Sequence, residues 1–231
     1  MHPNTIKNIS QIKGLLKALV EAAFPPPYTF LDIGANGGED SLDLLRHIPY
    51  STIYCFEPDP RAFARLQKRA KMLPDRFKIY NVALGATDGT AIFYQSGGIG
   101  EVPREWDKSG SILPPKEHLK HKSVVFNEGI QVPLFTLNTW WSSLRFDVIH
   151  LIWMDAQGAE GFIVQAGSDV ISRTAFMLVE SYQNEMFQGQ MVQKDFLTLL
   201  GPQWEVIGIH RNDLLLKNSL IRNSPSASRS Q

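Results

Sequence analysis

Phe30-Leu31-Asp32-Ile33-Gly34-Ala35-Asn36-Gly37-Gly38-Glu39-Asp40 is the stretch on which the reading of the fold turns. Tyr28 to Ile33 is apolar except for Thr29 and Asp32, the length expected of a buried strand. Ser41-Leu42-Asp43-Leu44-Leu45 then has the spacing of an amphipathic helix. Between them lies a turn of small residues. Glycines let the backbone approach a ligand closely, and the first N–H groups of a helix have no partner within it. Strand, glycine turn and helix N-terminus together predict a ligand site.

The residues of the turn narrow the choice of ligand. A dinucleotide site needs G-x-G-x-x-G, with a pyrophosphate against the helix N-terminus. Here the pattern is Asp32-x-Gly34-x-x-x-Gly38. A carboxylate so near the turn repels a pyrophosphate and suits a cationic or hydroxyl-rich ligand. S-adenosylmethionine carries an ammonium, a sulfonium and a ribose. Thr52 to Glu57 reads as the next strand, placing Glu57 where nucleotide-binding folds hold ribose hydroxyls. Pro58-Asp59-Pro60 ends that strand and opens a helix. Singly, Asp32 could be a helix cap and Glu57 a solvated strand end. Together, on successive strands of a βαβ unit, they favour a cofactor role.

Outward from this unit, the chain resembles the FkbM-type methyltransferases, which use S-adenosylmethionine. The matching residues are Asp32-Ile33-Gly34-Ala35-Asn36-x-Gly38, Phe56-Glu57-Pro58-Asp59 and Asn81-Val82-Ala83-Leu84-Gly85. They continue with Val132-Pro133-Leu134, Thr136-Leu137, Met154-Asp155-Ala156-Gln157-Gly158-Ala159-Glu160 and Val179-Glu180. The resemblance runs from about residue 28 to 201. It implies an α/β class I methyltransferase (Rossmann-like) fold, a seven-stranded mixed sheet with helices on both faces. It also implies O-methylation of a hydroxyl on a sugar, a glycan or a secondary metabolite. Asn81, Val82 and Ala83 would line the adenine ring, and Ser111, in Ser109-Gly110-Ser111, would lie near the cofactor and acceptor.

Two residues depart from that family's pattern. Trp153 stands where a lysine is frequent, which suggests an apolar or sugar-stacking wall, and Gln157 stands where Glu is frequent. Both departures fall on the acceptor side.

Composition limits the alternatives. A chain of 231 residues, 43% hydrophobic, supports one sizeable core. Twenty-three basic residues balance 23 acidic ones, so no global field draws the chain to nucleic acid. No apolar run reaches membrane-span length, and the N-terminus lacks a signal-peptide core. Cys55, the single cysteine, cannot form an internal disulfide and favours a reducing compartment. A cytoplasmic enzyme is the expectation; the oligomeric state is open. No repeat and no zinc-type Cys/His cluster is present in the sequence, and no metal is assigned.

In chain order, residues 1–27 read as an N-terminal helical extension, with Ile6 to Val20 at helical spacing and Pro25-Pro26-Pro27 as its stop. Residues 28–217 read as the methyltransferase domain. A helix is expected from Pro60 to about Met72 and a third strand from Phe77 to Val82. Asp88-Gly89 signals a turn into a short strand. Residues 96–122 are rich in Gly, Ser, Pro and charge, a long loop read as an acceptor lid. Val124–Phe126 and Ile130–Leu134 read as a hairpin or a bent pair. Asp147 to Asp155 reads as a strand buried on both faces. Trp204–Ile209 and Leu214–Lys217 read as a closing antiparallel pair, and residues 218–231 as a disordered tail.

Four carboxylates (Asp32, Glu57, Asp155 and Glu180) thus fall at the ends of four predicted parallel strands. Asp32, Gly34, Ala35, Asn36, Gly38, Glu57 and Pro58 are assigned to the cofactor. Asp155 is assigned as catalytic, the base or the group that orients the acceptor hydroxyl, and Glu180, Trp153 and Ser111 to the acceptor. A hydroxyl is a poor nucleophile at neutral pH, so a positioned base contributes about 10²–10⁴-fold. His150 reads as a core residue, whereas His118 and His121 could reach the acceptor. Two rivals are an NAD(P)-dependent oxidoreductase and a binding protein that keeps S-adenosylmethionine without turnover.

Overall fold

The computed structural model describes residues 4–120, 123–142, 144 and 147–221. In chain order, β1 (Asn4–Thr5) leads to α1 (Ile9–Ala23), whose first turn is capped by the Asn8 side chain accepting from the Gln11 N–H. β2 (Tyr28–Ile33), α2 (Glu39–His47), β3 (Ser51–Phe56), α3 (Pro60–Ala70) and β4 (Phe77–Tyr80) follow. Asp59 caps α3 and Pro60 occupies its first turn, as the Pro-Asp-Pro sequence requires. Next come β5 (Ala83–Leu84), β6 (Gly89–Phe93), β7 (Ser96–Gly98), β8 (Val124–Phe126) and β9 (Ile130–Phe135). The chain closes through α4 (Leu137–Ser142), β10 (Ile149–Met154), α5 (Glu160–Ala166), α6 (Ser168–Ile171), β11 (Thr174–Glu180), α7 (Gln193–Leu200), β12 (Trp204–His210) and β13 (Asp213–Asn218).

The main sheet runs β1-β12-β13-β11-β10-β2-β3-β4. Seven strands carry it, and the two-residue β1 extends one edge. β13 is antiparallel to β11 and β12, and every other pairing is parallel. This is the mixed sheet the sequence predicts, including the closing pair. The chain order reverses between β2 and β10: β3 and β4 lie on one side, β11 on the other. Open α/β sheets bind ligands at the C-terminal edge of such a reversal.

Side chains alternate across the sheet, so each strand feeds two cores. Phe30, Ile53, Leu151 and Phe176 pack with Ile12, Leu16 and Val20 of α1 and with Leu44 and Leu45 of α2. Leu31, Ile33, Ile152, Met154 and Met177 pack on the other face with Trp140, Ile163 and Phe196. The N-terminal helix therefore contributes directly to the first core. His150 is a core residue: Phe24 and Tyr28 meet its ring edge-on, and Nδ1 accepts the Thr29 N–H at 3.0 Å. Burial pushes its pKa down to about 4, which keeps it neutral.

Four expectations are corrected. Val124–Phe126 and Ile130–Leu134 do not pair with each other. β8 runs antiparallel to β7, while β9 joins β5 and β6 in a three-stranded sheet. The turn at Gly129, with φ +101°, separates two strands that serve different sheets. Residues 96–120 are not featureless, because they contain β7 and a 3₁₀ turn at Glu117–Lys120. The third strand ends at Tyr80, and Ala83–Leu84 leaves for the second sheet. Asn218 belongs to β13, while residues 222–231 of the expected tail, like His121, lie outside the described residues.

Candidate functional site

The turn after β2 depends on left-handed backbone at Gly34, Asn36 and Gly38, with φ of +87°, +46° and +80°. A Cβ on Gly34 would stand 1.9 Å from the Asp155 carbonyl oxygen, so this close approach of two strand ends excludes any side chain. Asp155 N–H also donates to the Ile33 carbonyl at 2.9 Å. The ends of β2 and β10 are thereby locked together.

Asp32 is buried and accepts the Ser41 hydroxyl from α2. Burial pushes its carboxyl up to about 7; the Ser41 bond opposes this, and the nearby Asp40 and Asp155 charges add to it. Glu57 is held by backbone alone. Its Oε2 accepts the Asn36 N–H at 2.8 Å and its Oε1 the Asp59 N–H at 2.7 Å. Burial again dominates and raises it to about 8 against those two donors.

A side-chain clasp closes over this turn. Asn36 Nδ2 donates to the Asp107 carbonyl at 3.1 Å and to its Oδ1 at 3.2 Å. Arg65 of α3 reaches Asp107 Oδ2 at 2.7 Å and donates to Asn36 Oδ1 at 3.0 Å. Burial works against the Asp107 charge, but Arg65 and Asn36 prevail and hold its pKa below the ordinary value.

The other half of the site lies at the ends of β10 and β11. Gln157, with φ +49°, turns its amide between two carboxyls. Its Nε2 donates to Asp155 Oδ1 at 2.6 Å and to Glu180 Oε2 at 2.8 Å. Tyr182 donates its hydroxyl to Glu180 Oε1 at 2.8 Å. Ser111 Oγ donates to the Gln157 carbonyl at 2.6 Å, which ties the long loop to this turn. Glu160, buried at the start of α5, accepts the Ala156 and Gly158 N–H groups and shapes the same turn.

Both halves open on one cavity of about 300 Å³, within the size range of small-molecule sites. Asp32, Gly34, Ala35, Asn36, Glu57, Pro58, Val82 and Ala83 line it, together with Trp153 and Asp155. Four expected residues lie behind that surface. Gly38 is the N-cap of α2, packed on Leu66 and Phe77. Asn81 braces the backbone, donating to the Glu57 and Pro58 carbonyls. Ser111 and Glu180 both bond to Gln157. His118 is buried against Phe126 and Phe187, away from the cavity.

Sequence reading missed Ser41, Arg65, Asp107 and Tyr182, and did not give Gln157 a role in the site. Ser41 had a local signal, lying one helical turn past Gly38. Asp107 had none, since its partners Asn36 and Arg65 are 71 and 42 residues away. Six carboxylates and a single lysine, Lys108, line the cavity. Such a surface favours a cationic, hydroxylated ligand over an anionic one. The described residues hold no cluster of three or more His, Cys, Asp or Glu side chains arranged for a metal. Among them, no helix is long and apolar enough to cross a membrane.

Comparison with known proteins agrees with this geometry. A family profile described as the methyltransferase FkbM domain matches residues 32–206. The 2-O-methyltransferase NoeI of Sinorhizobium fredii is 36% identical over 209 residues, 88% of this chain and 84% of that protein. The crystal structure of a candidate O-methyltransferase from Klebsiella pneumoniae superposes with a TM-score of 0.52 at 11% identity. It covers 91% of this chain and 80% of that one, a likeness of fold.

Proposed function

Because this chain belongs to the FkbM methyltransferase family, we propose that it binds S-adenosylmethionine in the cavity at the β2–β10 reversal and methylates a hydroxyl there. The acceptor we propose is a sugar or glycan hydroxyl, or that of a secondary metabolite, consistent with a relative named as a 2-O-methyltransferase. Neither rival, the nicotinamide oxidoreductase or the non-catalytic binder, gains support from these matches.

The observation that carries the reading is the convergence of Asp32, Glu57 and Asp155 on one cavity whose floor only glycine at position 34 permits. The residues fit the proposed cofactor. Glu57 is held by two backbone N–H groups, with acceptor capacity left for ribose hydroxyls. Asp32, buried beside the turn, offers its carboxylate to the cationic end. Val82 and Ala83 give an apolar wall for the adenine. When bound, S-adenosylmethionine supplies a methyl group activated on a positive sulfur.

The chain's own contribution is alignment and proton removal. Well-oriented reactants can gain about 7–11 kcal/mol over free encounter. Asp155, in the cavity wall beside the half-buried Trp153, takes the acceptor's proton, and the Trp153 ring gives the acceptor a flat apolar face. Calorimetric titration with S-adenosylmethionine tests the reading. Micromolar binding that Glu57→Gln weakens at least tenfold is expected; absence of binding would overturn it.

A further inference from the structure

Glu180 does not face the cavity, yet it is tied to Asp155, which does. Met154 and Val179 are register partners on adjacent parallel strands, so Asp155 and Glu180 emerge side by side. Both carboxyls lie within hydrogen-bond distance of the same amide nitrogen, Gln157 Nε2. Gln157 donates one amide hydrogen to each. Two half-buried carboxyls bridged by a single amide repel one another when both are ionised, which favours a state with one proton between them. Among the described residues no lysine or arginine supplies one by ion pair to either.

We propose that Asp155 and Glu180 act as one base sharing a single proton, with Gln157 the positioning residue whose amide clamps both carboxyls. The inference rests on the methyl-transfer reading of the same cavity. As the acceptor oxygen takes the methyl group, its O–H proton passes to Asp155 and the S–C electron pair stays on sulfur. A sulfonium beside a singly charged carboxyl pair becomes a neutral thioether beside a fully protonated pair. The charge summed over the sulfur and the carboxyl pair is zero before and after, so the step needs no ion to enter.

Other titratable groups surround the pair. The charges of Asp32 on β2, Asp40 on α2 and Glu160 on α5 act on it. Tyr182 and Asp213 on β13 flank Glu180. All add negative charge or none, so burial and like charges push both carboxyls of the pair upward.

The test uses the full-length protein and two readouts. In carbon-13 carboxyl NMR of the ligand-free protein, Asp155 is expected to titrate above the ordinary carboxylate range, and Glu180→Gln to lower its midpoint by about one unit or more. Asp155→Asn should lower that of Glu180 likewise, which covers the case in which one variant fails to fold. An unmoved midpoint in a folded variant would overturn the proposal. Calorimetry in two buffers then counts the protons released on binding S-adenosylmethionine and S-adenosylhomocysteine. The charged ligand should release more, by about half a proton near neutral pH. Glu180→Gln should cut that excess by more than Asp32→Asn does; an equal or larger loss in Asp32→Asn would overturn the shared-proton pair. A protein that binds neither nucleoside yet shows the coupled midpoints refutes the cofactor reading and leaves the pair standing.

Discussion

The two halves of the cavity solve one problem, fixing a buried carboxylate, by different means. On the β2–β3 side, Glu57 is held by backbone N–H groups of Asn36 and Asp59, positions set by the turn itself. On the β10–β11 side, Asp155 is held by a side-chain amide, and that amide's residue is anchored by Ser111 from a loop 46 residues away. A backbone cradle suits a ligand that never changes. A side-chain cradle can be retuned by single substitutions, which suits an acceptor that varies. In the function proposed above, the first half would hold the cofactor and the second would set the chemistry and the acceptor.

Asp155→Asn should separate the halves most sharply. Turnover is expected to fall about 10²–10⁴-fold while calorimetric affinity for S-adenosylmethionine stays within about threefold. Equal losses in both would merge the halves into one. Asp32→Ala should act in the opposite sense. Losing a buried charged contact costs about 1.5–3 kcal/mol, so cofactor affinity should drop about 10- to 100-fold. An unchanged dissociation constant would remove Asp32 from the cofactor half.

A pH experiment tests the shared feature, burial. Asp32 and Glu57 titrate near 7 and 8 when folded, against about 4 in an unfolded chain. The folded state therefore holds more protons through that interval. Stability is greatest below about pH 4 on this account and is lost as pH rises through 7 to 8. Over pH 5.5 to 8, the ligand-free melting temperature should fall by several degrees, and Asp32→Asn should flatten the slope. A melting temperature that rises across this interval would mean that both groups are ionised in the fold. The smallest effect belongs to the clasp. Arg65 is partly exposed, so Asp107→Asn should weaken cofactor binding only about two- to fivefold and leave the acceptor half untouched.

The contrast also explains what could be read before the fold was known. Asp32, Gly34, Asn36 and Glu57 lie within 26 consecutive residues, and their roles follow from the period of two strands and one glycine turn. Asp155 was legible for the same reason, as a polar end to an apolar strand. Ser111 and Glu180 were expected to touch the acceptor, whereas both lie behind the cavity surface and bond to Gln157. Gln157 stood out in the sequence only as a departure from the family's pattern, because its bonds to Asp155, Glu180 and Ser111 come from three segments meeting. Pairing of β8 was misread for a related reason. Its neighbour in sequence is β9, but its partner β7 lies across the long loop, and periodicity carries no information about partners.

A crystal structure with S-adenosylhomocysteine tests the central claim most directly. The account predicts the nucleoside in the cavity at the β2–β10 reversal, with both ribose hydroxyls on Glu57 and the sulfur on the side of Asp32 and Asp155. A nucleoside bound elsewhere, or Glu57 turned from the ribose, would contradict it.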